Sequence, residues 1–219
     1  QTNVVVGMPD VQWQDQERYQ VFNSAQGFGR ASGKFAKHHL VPFGDYVPLQ
    51  DYLRGLIEFF DLPMSNASRG ARQQANIALT LNGQHQPVEV AAGICYEIAY
   101  GGSLRRQAET SGLLLTISND TWFGGSIGPH QHMQIAQMRA LENRRWLLRA
   151  TNNGVTGIVN PRGEITAELP QFEANVLRGE FEVMKGRTPY SKLGDVPALF
   201  LLTVMLVVTA MRSRRTNFS

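Results

Sequence analysis

Apolar positions fall into short runs with strand spacing, separated by turn signals, and give way late in the chain to one long uninterrupted apolar stretch. Residues 4–7 predict a buried strand and 21–25 a second one, with 27–34 as a glycine-rich loop leading to the next basic segment. Between residues 46 and 64, Leu49, Tyr52, Leu53, Leu56, Ile57, Phe59, Phe60 and Leu62 recur at mostly helical spacing, with Asp51, Arg54 and Glu58 between them. That pattern fits a helix packed on its own core or an apolar arm that touches lipid.

Further on, 77–81 and 88–94 predict two strands of a hairpin, because Asn82-Gly83 suits the positive dihedrals of a tight turn. A short helix is expected over 104–110, and 113–118 is the continuous apolar run of a strand covered on both faces. Gly128-Pro129 opens a helix through residue 145, with Met133, Ala136 and Ala140 on one face. A meander of 146–150, 155–159 and 164–167 follows, its turns marked by Asn152-Asn153-Gly154 and Asn160-Pro161-Arg162-Gly163.

Residues 196–211 carry no charge, only Thr203 and Thr209 as polar side chains, and run into Arg212, Arg214 and Arg215. The segment reads as a membrane span or as a buried terminal helix. It is slightly short for the roughly 30 Å hydrocarbon layer, so a span would draw on Leu193 and a snorkelling Arg212. If it spans, the arginines place the tail in the cytoplasm and the domain on the other side.

Composition narrows the picture. With 219 residues, 42% of them hydrophobic, the chain can bury one sizeable core. A net charge of +3, without a basic stripe interleaved with aromatics, argues against a nucleic-acid partner. The chain opens at Gln1 with no methionine or signal peptide and runs at once into a strand, which suggests that something precedes it. A single cysteine, Cys95, excludes an internal disulfide framework and a cysteine-cluster zinc site.

Cys95 ends an apolar strand and is followed by Tyr96 and Glu97, where a backbone turn can carry a nucleophile to solvent. A lone cysteine in a strand is also a common inert core residue. Lys37 is the best neighbour for chemistry, since an ammonium lowers a thiol's pKa and can donate to an oxyanion. Alone it reads equally as a surface charge. His38-His39 and His130 with His132 lack the spacing and carboxylate companion of zinc sites, so no metal and no cofactor is expected.

Several ordered motifs resemble the apolipoprotein N-acyltransferases of the nitrilase superfamily across nearly the whole chain. They are residues 37–48, Ile94-Cys95-Tyr96-Glu97, Ser118-Asn119-Asp120-Thr121-Trp122-Phe123-Gly124 and Gly128-Pro129-His130-Gln131-His132. Arg139-Ala140-Leu141-Glu142, Arg149-Ala150-Thr151-Asn152-Asn153-Gly154 and Gly194-Asp195 complete the set. The resemblance implies an α/β fold, a nitrilase-like α-β-β-α sandwich over residues 1–192. One C-terminal transmembrane helix would follow at 193–212, then a cytoplasmic basic tail at 213–219. It also implies a place in the bacterial inner membrane with the domain on the periplasmic side.

By the same resemblance, Cys95 is the nucleophile and Lys37 its lysine partner. Glu97 matches a position needed for activity, Asp45 stands where the family usually has glutamate, and Tyr96 supplies a backbone N–H that forms an oxyanion site with Lys37. A third catalytic group, a glutamate in a Trp-Pro-Glu type motif, would lie upstream of residue 1, leaving this stretch catalytically incomplete by itself. The implied reaction moves an acyl chain from a phospholipid, through a Cys95 thioester, to the α-amino group of a diacylglyceryl-cysteine on an apolipoprotein. The 49–62 arm and Trp122-Phe123 are expected to border the acyl-chain entrance. Two other readings remain: a soluble nitrilase-like amidase with water as acceptor, and a non-catalytic relative that binds lipid or a partner protein.

Overall fold

The computed structural model describes residues 2–16, 18–48 and 66–216. The expected apolar arm at 49–62 lies outside these residues. Strands β1 (Asn3–Trp13) and β2 (Tyr19–Gly29) form a long antiparallel hairpin, and β4 (Lys34–Ala36) pairs with β2 to complete a three-stranded sheet. The other strands make a seven-stranded sheet in the order β10-β9-β8-β7-β6-β5-β3. These are β3 (Ala31–Ser32), β5 (Ile77–Leu79), β6 (Val88–Ile94), β7 (Leu113–Asn119), β8 (Leu147–Asn152), β9 (Gly157–Val159) and β10 (Ile165–Glu168).

At the centre of the large sheet β6, β7 and β8 run parallel. Their side chains alternate between two cores, as the two-residue period of a strand requires. Ala91, Leu114 and Leu147 pack against helices α1 (Gly101–Gln107) and α2 (Gly128–Asn143), which contribute Leu104, Met133, Ala136 and Ala140. Val90, Ala92, Leu113, Leu115 and Leu148 face the other way and meet Ala25, Phe35 and Val5 of the three-stranded sheet. The continuous apolar run of β7 thus follows from burial on both faces. The described residues therefore build three layers of the nitrilase-like α-β-β-α arrangement: helices, large sheet and small sheet.

Helix α2 ends at Asn143, two residues before the expected end at 145. Arg144 takes a left-handed conformation at φ 51°, and its N–H returns to the Ala140 and Leu141 carbonyls. The buried Arg145 then donates to the carbonyls of Ser111, Gly186 and Asn143, which ties the helix end to two neighbouring segments.

Two local expectations change. The stretch 27–34 is mostly strand, because Gly29 and Gly33, with φ of 69° and 93°, let the chain switch between the two sheets within a few residues. The β1 strand is not buried throughout. Val4 and Val6 are 44% and 40% exposed because alternate side chains of a two-faced sheet point outward. The β5–β6 hairpin forms as expected, although the loop between its strands is longer than a two-residue turn; Gly83 has the positive φ of 79°.

After a short helix α3 (Pro189–Leu193), helix α4 runs from Val196 to Thr216. Its window Val196–Ser213 has a mean hydropathy of 1.9 and buries none of itself against the protein. At 1.5 Å per residue, 21 helical residues extend about 31 Å.

Candidate active site

Because β6, β7 and β8 are parallel, their carboxyl ends lie along one edge, where open α/β sheets place their sites. Cys95 follows β6, Asp120 follows β7, and Asn152-Asn153-Gly154 closes β8. At Cys95 the backbone adopts φ 55°, a left-handed conformation that costs a non-glycine residue about 1–3 kcal/mol and must be held by its surroundings. The chain turns there from strand into a 3-10 turn, Cys95–Ala99, anchored by the fully buried Ile98. The sulfur-bearing residue is half-buried, as a reachable thiol should be.

Glu97 fastens this turn. One carboxylate oxygen accepts the N–H groups of His38 (2.8 Å) and His39 (3.0 Å), and the other accepts that of Ile94 (3.0 Å). The residue is 5% exposed, and burial pushes its carboxyl above the ordinary value, while the three N–H donors and the charge on Lys37 pull against that rise. Through Glu97 the segment after β4 is tied to the Cys95 turn across 59 residues of chain.

Lys37 opens that same segment. Its ammonium meets Asp45 Oδ2 at 2.6 Å, with the two side chains only 3% and 13% exposed. Asp45 is itself held: Oδ2 accepts the Val41 N–H at 2.8 Å and Oδ1 accepts from Asn23 Nδ2 at 2.8 Å. An ammonium this deeply buried needs such a counter-ion. The five residues singled out in the sequence thus form two linked groups, Lys37 with Asp45, and Cys95 and Tyr96 with Glu97, joined through the His38 and His39 backbone.

Around this pair the surface is aromatic. Tyr96 is exposed and meets Tyr100 edge-on, and Tyr100 stacks on His39 with centroids 4.0 Å apart. Burial holds the His39 pKa below its ordinary value, and His38, Arg69, Arg106 and Arg72 add to the effect. Its Nδ1 stands 3.7 Å from Glu97 Oε1, too far for a hydrogen bond but within reach of an ion pair when the ring is protonated. Trp122 and Phe123 are exposed on the loop after β7.

A second set of residues was not assigned from sequence. Asp120, fully buried, accepts from Arg149 Nη2 at 2.7 Å and from the Ser118 hydroxyl at 2.5 Å, and its Oδ1 lies 3.1 Å from His132 Nδ1. His132 Nε2 in turn lies 3.1 Å from the Cys95 carbonyl oxygen. Burial would raise the Asp120 pKa, but the bonds from His132 and Ser118 and the charge of Arg149 bring it below its ordinary value. Gly154 passes so close that a Cβ there would stand 2.3 Å from Asp120 Oδ2. The Ser118, Gly128 and Arg149 motifs gave the signal, but only the fold joins them.

A strand-to-turn cysteine fastened by a buried glutamate, and tied through the His38 and His39 backbone to the segment that carries a buried lysine–carboxylate pair, thus stands on a two-sheet α/β frame. The carbon-nitrogen hydrolase family model matches residues 1–186, and the chain belongs to that family.

Within it, the chain is 51% identical over 186 residues to the apolipoprotein N-acyltransferase of Pseudomonas paraeruginosa, covering 85% of this chain and 35% of that protein. The apolipoprotein N-acyltransferase of Azotobacter vinelandii is 47% identical over 214 residues, 98% of this chain and 40% of that protein. The chain therefore spans little more than a third of the length of these curated relatives. Among solved structures, a carbon-nitrogen hydrolase from Helicobacter pylori superposes with a TM-score of 0.54 at 14% identity, over 76% of this chain and 57% of that one. The C. elegans NitFhit protein gives a TM-score of 0.51 at 15% identity, over 69% of this chain and 36% of that one. At such identities these two speak for the fold alone.

Proposed function

We propose that this chain is the nucleophile-bearing part of an apolipoprotein N-acyltransferase. The observation that carries the reading is the 51% identity over 186 residues to a relative of that name, across a stretch that includes the Cys95 turn. Cys95 is the nucleophile, Lys37 and the Tyr96 N–H are the oxyanion donors, Asp45 holds Lys37, and Glu97 holds the turn. The Cys95 proton passes to a glutamate outside this chain, and the thiolate attacks the ester carbonyl carbon of a phospholipid. The carbon–oxygen bond to the glycerol breaks, its oxygen recovers the proton, and a lysophospholipid leaves a thioester on Cys95. The α-amino group of a diacylglyceryl-cysteine then attacks, the carbon–sulfur bond breaks, and an amide forms as the thiol is restored.

Residues 1–192 form the catalytic domain, 193–212 the membrane span and 213–219 a basic tail. The apolar, unburied α4 and the arginines at its end support an inner-membrane anchor with the tail in the cytoplasm and the domain on the periplasmic side. Trp122 and Phe123 border the acyl-chain entrance.

Intact mass tests the first step. The full-length parent protein, incubated with phosphatidylethanolamine in detergent, should gain one acyl chain that hydroxylamine removes, and the Cys95→Ala protein should gain none. No adduct on folded parent protein would reject the thioester. Release of free fatty acid with no transfer to a diacylglyceryl-cysteine peptide would favour an amidase-like hydrolase.

A further inference from the structure

Apart from Trp122 and Phe123, the 118–124, 128–132 and 149–154 motifs have no role in the reaction as described, yet residues from all three converge in one buried chain of contacts. Arg149 and Ser118 donate to Asp120, Asp120 lies against His132 Nδ1, and His132 Nε2 lies against the carbonyl oxygen of Cys95. Arg149 is fixed at its other side by a bond from Nε to the Val155 carbonyl at 3.1 Å. Every side chain in the set is buried, from Asp120 at 0% exposed to His132 at 6%. The Cys95 carbonyl can only accept, so the Nε2 contact is a hydrogen bond in the tautomer that carries its proton on Nε2.

The carbonyl at the end of this chain belongs to the peptide group that also carries the Tyr96 N–H. A peptide is planar and trans, so gripping its oxygen fixes the direction of its N–H on the opposite side. A hydrogen bond to the oxygen also polarises the group and strengthens the N–H as a donor. The residue before that peptide, Cys95, has a left-handed φ of 55°, which makes an external hold on the group necessary.

We propose that His132, held by Asp120 with Ser118 and Arg149 behind it, is a positioning residue that aims the Tyr96 N–H at the developing oxyanion. The inference rests on the reading of Cys95 as nucleophile and of that N–H as an oxyanion donor. It assigns His132 no contact with substrate.

Two substitutions separate this role from a merely structural one. Glutamine's amide nitrogen can stand where His132 Nε2 stands and keep the bond to the Cys95 carbonyl; asparagine's can stand where Nδ1 stands and keep only the contact with Asp120. In the full-length protein, acylation of Cys95 by a p-nitrophenyl ester reads the oxyanion site without requiring a phospholipid. Alkylation by iodoacetamide, in which the thiolate displaces iodide and no oxyanion forms, reads the thiol alone. His132→Asn should slow acylation about tenfold with KM unchanged and leave alkylation within about twofold, and His132→Gln should stay within about threefold of the parent in both.

Acylation by His132→Asn at the parental rate would overturn the proposal, as would an alkylation rate that falls in step with acylation. If neither variant folds, Ser118→Ala, which loses only a hydroxyl, should slow acylation about threefold, and an unchanged rate overturns the idea. Absence of phospholipid transfer with normal ester acylation would count against the proposed substrate and leave this test standing.

Discussion

Lys37 and Asp45 meet at 2.6 Å in a place where neither side chain is more than 13% exposed, so each charge depends on the other. Removing one partner of a buried pair strands the remaining charge at a cost of about 3–5 kcal/mol. Asp45→Asn should therefore lower the midpoint of thermal unfolding and depress thioester formation together. Calorimetry beside an acylation assay checks this, and an unchanged midpoint would mean that Lys37 finds another counter-charge.

Glu97 offers a prediction in pH. Its pKa in the folded protein is raised above its ordinary 4.5, so the folded state holds this proton more tightly than the unfolded chain does. The contribution to stability is then full below that ordinary value and is lost as pH rises through the folded pKa. Glu97→Gln should abolish this part of the pH dependence. At neutral pH it should also cost about 1–3 kcal/mol, because an amide cannot accept at both ends while His38, His39 and Ile94 all donate. Denaturant unfolding of both proteins, followed from below the ordinary carboxyl value up to neutral pH, measures the two effects.

Asp120 has the opposite sign. Its folded pKa is lowered from 3.8, so its contribution is present above that value and lost as pH falls through the folded pKa. Gly154→Ala attacks the same group sterically, since the new Cβ would lie 2.3 Å from Asp120 Oδ2. The expected cost is about 1–3 kcal/mol of overpacking, with slower acylation of Cys95. Equal stability and rate in the alanine variant would mean that the β8–β9 turn can retreat without disturbing Asp120.

Much of this arrangement was legible in the sequence because the period of apolar residues is a local property. The strand β7 and the helix α2 carry patterns that permit one reading each, and the Cys95 turn and Lys37 were marked by their motif neighbours. Contacts between distant segments were not legible. Nothing in the pattern places His132 beneath the Cys95 carbonyl, 37 residues away, or pairs Arg149 with Asp120, because such contacts follow from parallel strands sharing one edge. Length of the β1–β2 hairpin was also hidden, since its outward face mixes apolar and polar residues and blurs the strand period.

Helix α4 provides the last prediction. Its apolar side chains, Phe200, Leu201, Leu202 and Leu206 among them, are more than half exposed, and nothing polar interrupts 196–211 except two threonines. Both threonine hydroxyls are satisfied within the helix, Thr203 by the Leu199 carbonyl and Thr209 by that of Met205. No polar side chain therefore has to be desolvated unpaired on entering hydrocarbon, which favours insertion. A lysine at Val204, near the middle of the segment, should cost about 2.5–3.5 kcal/mol of insertion free energy. The full-length Val204→Lys protein should shift from the carbonate-resistant membrane fraction toward an extractable one only if α4 contributes to the anchor. In spheroplasts, a tag after residue 219 should resist external protease while the catalytic domain is cleaved. Cleavage of the tag with protection of the domain would reverse the orientation drawn from Arg212, Arg214 and Arg215.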